Sequence, residues 1–280
     1  MVLREDRGAV AVLRMEHGRA NALDPEFLGA IGQALAAAED AGAVVLTGAG
    51  AMFSAGVDLK RLAAGGPGYA AALLPALSDC FARLFFHPRP VIAAVNGHAI
   101  AGGCVLACAA DGRLGARGAG RIGVTELLVG VPFPAIALEI MRAAAPGPAF
   151  TEMVYSGRTW DMAEAAARGL VSALVDPEAL VDAAVKEAQA LAALPAATFT
   201  LTKAHARQPI RDFLGLHAAR IDGEVARIWS AAPAQDAIRR YVARAITCAG
   251  LSRSRNGYFI DLKPWPFFPR WFRVGIFLPG

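Results

Sequence analysis

Two glycine-rich turns in this chain have the grammar of a seat for negative charge. One lies in FSAGVDLKRL at 53–62, the other in VIAAVNGHAIAGGCVLACAAD at 91–111. In the second, an apolar strand signal, Val91 to Val95, ends in Asn96-Gly97. Ala101-Gly102-Gly103 then opens a small-residue helical run, Cys104 to Ala110. Adjacent glycines at a strand-to-helix junction let the backbone come close to a bound group. The N–H groups that begin a helix have no acceptor within it and point outward. Such a turn can hold an anion, or an oxygen that becomes one. Tight packing against a buried helix explains one pair of glycines equally well. A second segment of the same grammar favours the functional reading.

The elements that must position these turns alternate strand and helix. Gly8 to Met15 reads as a strand, and Asp24-Pro25 starts a helix carried to Ala38 by Phe27, Leu28, Ile31 and Leu35. Ala43 to Thr47 is a short buried strand. Residues 69–86 are helical, stopped by Pro88 and Pro90 before the Val91 strand. An apolar helix follows VPFP, and a helical pair covers roughly 147–168. The last strand signal is Leu170 to Val175, and a long amphipathic helix then runs from Asp176-Pro177 to about Leu194. From Pro195 onward the pattern is helical only, over 196–206, 211–231 and 233–247, with Pro209 and Pro233 as breaks. This order predicts an α/β core over 1–194 and a helical subdomain over 195–247. Residues 248–280 differ again: Trp265, Trp271, five phenylalanines and four prolines predict a poorly ordered tail outside the chemistry.

Composition narrows the function classes. The net charge is +4, with no basic run long enough to track a nucleic-acid backbone. Cys80, Cys104, Cys108 and Cys248 form neither a disulfide framework nor a zinc pattern. Cys104, Cys108 and His98 could together suggest a metal, but small packing residues explain the cysteines better, so no metal is expected. The first ten residues carry no secretory signal. The 91–111 stretch has the length of a membrane span, but Asn96, His98 and its glycines argue for a buried soluble segment. The expectation is a reduced, cytoplasmic protein without a membrane span or nucleic-acid partner. GAGAMFSAG is not a dinucleotide fingerprint.

RANALD at 19–24, FSAGVDLKRL at 53–62, RPVIAAVNGHAIAGGCVLACAAD at 89–111 and RIGVTELLVGVPFP at 121–134 together resemble the crotonase, or enoyl-CoA hydratase/isomerase, family. The resemblance covers roughly 8–247. It implies a spiral of ββα turns, a C-terminal helical region that builds trimers or hexamers, and an acyl-CoA thioester as substrate with no separate cofactor. It also implies an oxyanion hole made by the backbone N–H groups of Val57 and Gly102. Arg19 and Lys60 stand where relatives place cations that meet the CoA phosphates, and Ala20, Ala55, Asp58 and Leu59 fall in the same binding segments. Asp58 is equally a cap for its own turn.

One departure bears on the reaction. Hydratases of this family carry a carboxylate in a GGGCE-type sequence, and Val105 stands in that place here. Valine can neither donate nor accept a proton. The second carboxylate of the pattern is retained as Glu126, in Gly123-Val124-Thr125-Glu126. One carboxylate beside an enolate suits a proton shuttle that moves a double bond. The pattern resembles the Δ3,Δ2-enoyl-CoA isomerases of the family. A hydratase-type lyase with altered acid/base residues, or a non-catalytic acyl-CoA-binding protein, are the alternatives. His98, Asp111 and Glu139 are weaker candidates, with Glu139 the one that could replace the missing acid.

Overall fold

A computed structural model of the chain describes residues 1–145 and 147–249. In chain order the elements are β1 (Val2–Arg7), β2 (Val10–Met15), α1 (Pro25–Ala37), β3 (Ala43–Thr47), β4 (Met52–Ser54) and α2 (Leu59–Phe85). Next come β5 (Val91–Val95), β6 (His98–Ile100), α3 (Gly102–Ala109), β7 (Gly112–Ala116), β8 (Arg121–Gly123), α4 (Glu126–Val129) and α5 (Ala135–Ala144). The described chain closes with α6 (Pro148–Ser156), β9 (Thr159–Asp161), α7 (Met162–Ala167), β10 (Ala173–Val175), α8 (Leu180–Ala192), α9 (Ala196–Ser230) and α10 (Ala232–Ala249).

The strands form two sheets, ordered β1-β2-β3-β5-β7-β10 and β4-β6-β8-β9. Three consecutive units, β3-β4-α2, β5-β6-α3 and β7-β8-α4, each place one strand in either sheet. This is the ββα spiral that the resemblance implies. Within a unit the chain crosses from the large sheet to the small one, then starts a helix. β3 and β5 are buried at every position and pair in parallel. Both faces of the large sheet are covered: α8 lies over one, and the main core fills the other.

Several sequence expectations need correction. The N-terminal VLREDR forms β1, an antiparallel edge strand with mostly exposed, charged positions. No alternation marks it, because an edge strand that buries little apolar surface needs none. The helix expected over 69–86 begins ten residues earlier, capped by Asp58, and kinks at Gly66 (φ 58°, ψ −148°). The stretch 147–168 holds β9 between its two helices.

Pro209 does not divide α9, which runs unbroken through it. Contacts on either side hold the two halves in line. Before the proline, Lys203 and Arg207 bind Asp111 at 2.7 and 2.8 Å. Around it, Arg207 stacks on Phe85 at 4.0 Å and Arg211 on Phe86 at 4.1 Å. These tertiary contacts offset a local cost of about 3 kcal/mol for an interior proline. The separate tail expected over 248–280 lies outside the described residues, apart from the last two positions of α10.

Candidate active site

The RANALD loop is tied to the turn that follows β4. Asn21 adopts a left-handed backbone (φ 46°). Its side chain donates to the carbonyls of Met15 at 3.0 Å and Phe53 at 3.1 Å. The Ser54 hydroxyl donates to the Asn21 carbonyl at 2.7 Å. The Leu23 N–H donates to the Gly56 carbonyl at 2.8 Å, and the Asp58 N–H to the Leu23 carbonyl at 3.0 Å. In this bridge Val57 uses neither its own N–H nor its own carbonyl. Asn21 was not among the sequence candidates. Its signal was local, an asparagine in a loop where αL geometry is needed.

The second turn meets the first at close range. The residue with the left-handed φ is Ala101 (φ 51°, ψ −124°), not either glycine. Gly102 and Gly103 serve a different purpose, which is approach. A Cβ on Gly103 would lie 2.3 Å from the Ser54 carbonyl oxygen. A Cβ on Gly56 would lie 3.0 Å from the Gly102 nitrogen. The Gly102 N–H is the first of α3 and has no acceptor inside the helix.

Both turns open onto one apolar cavity of about 140 Å³. Val57 and Gly102 line it, as do Ala20, Ala55, Asp58, Leu59 and Lys60. Arg19 does not line it; its side chain is exposed on the first loop. Asp58 caps α2 by accepting from the Arg61 N–H at 2.9 Å. Lys60 is exposed, so the start of α2 marks the mouth of the cavity.

Glu126 enters the cavity from the start of α4, and Val105 enters it from α3. The Glu126 Oε2 is enclosed and has no hydrogen-bond partner. Burial pushes its carboxyl up to about 7, against opposing hydrogen bonds from the backbone at Glu126 and Thr125. A buried carboxylate without a partner is costly, so the neutral form gains at the expense of the charged one. The group therefore titrates near neutrality and can both take and return a proton.

The remaining candidates lie elsewhere. Glu139, on α5, pairs with Arg142 at 3.3 Å and does not line the cavity, so it does not replace the missing acid. Asp111 is a packing anchor: it accepts from the Val91 N–H at 2.8 Å in addition to Lys203 and Arg207. His98 is buried on β6, outside the cavity lining, and burial lowers its pKa. Cys104 and Cys108 face each other within the core at 4.0 Å. Among the described residues no three His, Cys, Asp or Glu side chains form a metal-holding group, and no helix is long and apolar enough to cross a membrane.

Thr125, Tyr241 and Trp229 are among the cavity residues missed from sequence. Thr125 precedes Glu126, and its side chain hydrogen-bonds that of Tyr241 from α10. Trp229 comes from α9. The helical pattern shows that these helices have apolar positions but not which cavity they reach.

The spiral of ββα units agrees with the comparisons. The chain matches the family described as enoyl-CoA hydratase/isomerase over residues 5–237, and it belongs to that family. Its fold is the α/β crotonase fold with C-terminal helices. It is similar to the probable enoyl-CoA hydratase EchA17 of Mycobacterium tuberculosis, at 38% identity over 150 residues, 52% of this chain and 56% of that one. It thus spans little more than half the length of the first curated relatives it matches. The solved structure of the probable enoyl-CoA hydratase EchA3 of Mycobacterium tuberculosis is 32% identical, with a TM-score of 0.74 over 80% of this chain and 95% of that one. The human mitochondrial delta3-delta2-enoyl-CoA isomerase is 28% identical, with a TM-score of 0.81 over 88% of this chain and 98% of that one.

Proposed function

We propose that this chain is an acyl-CoA enzyme that moves a double bond from the 3- to the 2-position of an enoyl-CoA. The observation that carries the reading is the pairing of one enclosed, unpartnered carboxyl, Glu126, with an apolar Val105 in the same cavity.

In this reading the N–H groups of Val57 and Gly102 donate to the thioester oxygen. Each such donor is typically worth ~3–4 kcal/mol in the transition state. The Glu126 carboxylate removes a proton from C2. The C–H electron pair delocalises through the C3=C4 bond into a dienolate, with its negative charge on the thioester oxygen. The Glu126 carboxylic acid then returns the proton to C4, a C2=C3 bond remains, and the carboxylate is regenerated. A pKa of about 7 serves both halves of the transfer. Lys60, exposed at the mouth, would meet the CoA phosphates, with Ala20, Ala55, Asp58 and Leu59 lining the approach. Arg19 would reach those phosphates only from outside the cavity. Assembly into trimers or hexamers through the C-terminal helices belongs to the same proposal.

The test is conversion of a 3-enoyl-CoA into its 2-trans isomer by the purified chain, with Glu126→Gln as control. The variant is expected to lose at least ~100-fold in rate. An undiminished rate in that variant overturns the reading.

A second reading, hydration of 2-enoyl-CoA, is favoured by the curated relatives described as probable enoyl-CoA hydratases. Hydration at a rate comparable with isomerisation would support it. Val105 counts against it, since the second proton carrier that water addition uses has no counterpart at that position.

A further inference from the structure

The proton-shuttle reading leaves one wall of the cavity unused. Leu77 and Phe81 from α2, Ala137 from α5 and Trp229 from α9 line it, and all four are buried. Lys60, at the mouth, is exposed. A thioester held by Val57 and Gly102 therefore has its CoA toward the mouth and its acyl chain toward this wall.

Trp229 is the largest side chain in the wall and is 3% exposed. Its indole N–H donates to the Pro132 carbonyl at 2.9 Å. Its own carbonyl accepts from the Gln235 side chain at 2.7 Å. Two turns earlier on α9, Asp222 accepts the Ala135 N–H at 2.8 Å. The indole is thus pinned to the segment that joins α4 to α5, beside Val131 and Pro134 of the same cavity. Swinging the ring aside would leave a buried N–H without an acceptor, so the wall does not yield easily.

The cavity is also small. Its volume is about 140 Å³ from the mouth to the wall, so the thioester and the acyl chain share it. We propose that Trp229 is the stop for the acyl chain, which favours short acyl groups over long ones in the bound thioester. The inference rests on the acyl-CoA reading above but not on the reaction catalysed.

Binding of saturated thioesters separates the two, because they carry no double bond to move. Free CoA, butanoyl-CoA, hexanoyl-CoA and decanoyl-CoA would be titrated calorimetrically into the full chain. Hexanoyl-CoA is expected to bind at least about tenfold more tightly than decanoyl-CoA. Trp229→Leu should narrow that gap to about threefold or less by tightening decanoyl-CoA. Because leucine leaves part of the ring's volume empty, Ala137→Val supplies an independent variant that adds bulk to the same wall. It should weaken hexanoyl-CoA about tenfold and leave butanoyl-CoA unchanged. Decanoyl-CoA binding as tightly as hexanoyl-CoA to the unaltered chain overturns the inference. So does an unchanged preference in both variants. Equal affinity for free CoA and every thioester overturns the acyl-CoA reading itself.

Discussion

The side chain of Val105 and the carboxyl of Glu126 line the same cavity, one from α3 and the other from the start of α4. A glutamate at 105 would put two carboxyls around one small space. Val105→Glu is expected to raise hydration of 2-enoyl-CoA by on the order of 100-fold, because a second proton carrier becomes available. Isomerisation should fall in the same variant, and both rates can be read from product mass and double-bond position. No gain in hydration would mean that Val105 does not decide the reaction.

The raised pKa of Glu126 links activity and stability to pH in opposite directions. The proposed shuttle would start from the carboxylate, so kcat/KM for isomerisation should rise with pH and level off above about 7. Stability runs the other way. The unfolded carboxyl has its ordinary value of 4.5, and the folded one is raised to about 7. The stabilising contribution is therefore complete below about 4.5 and is lost as pH rises through about 7. The loss is on the order of 3 kcal/mol. Comparing urea midpoints of the unaltered chain and Glu126→Gln across this window isolates it. Parallel pH profiles for the two would refute the assignment.

Glycine at 103 answers a distance rather than a dihedral. Its φ is not left-handed, yet an added Cβ would lie 2.3 Å from the Ser54 carbonyl oxygen. A Cβ on Gly102 would meet the end of the Leu23 side chain at 3.0 Å, which can shift. Gly103→Ala should thus destabilise the chain by about 2 kcal/mol or more, and Gly102→Ala by less. Thermal unfolding of the two variants gives the order, and a reversed order would contradict the geometry.

Ala101 carries the strain that a glycine could relieve. Its φ of 51° with ψ of −124° lies outside the regions open to residues with a Cβ. Such a conformation costs about 1–3 kcal/mol, part of which a glycine gives back in unfolded-chain entropy. Ala101→Gly is expected to raise stability by about 1 kcal/mol, visible as a higher denaturant midpoint at unchanged slope. A lower midpoint would show that the turn is not strained.

The Asp111 carboxylate faces two cations that are largely shielded from water, Lys203 and Arg207. Burial pushes the Lys203 ammonium down to about 8 even with Asp111 beside it. Asp111→Asn should cost about 3–5 kcal/mol, because two positive charges then share a buried site without a counter-charge. Equilibrium unfolding in urea measures it. A loss under 1 kcal/mol would mean that water already screens the cluster.

What the sequence revealed was whatever depends on neighbours along the chain. Val57, Gly102 and Glu126 could be singled out because each falls in a short, distinctive run that carries the family resemblance. Their convergence on one cavity follows from the spiral, which the resemblance supplied. Trp229 and Tyr241 were not legible, since both belong to helices whose docking is decided by distant surfaces. Pro209 misled because a local rule was outweighed by the ring stacking and ion pairs around it. Arg19 matched a pattern of residue types, and it is exposed outside the cavity lining. β1 escaped notice because an exposed edge strand asks for no apolar alternation.

The short α4, Glu126–Val129, is the smallest of the helices that meet at the cavity. It also comes from a different turn of the spiral than the two that supply Val57 and Gly102. In the proposed reaction the group that moves protons thus sits on a part separate from the one that steadies electrons. Exchanging the residue that opens α4 would alter the reaction while leaving the seat for the oxygen intact. A chain built this way is a chassis with a replaceable tool.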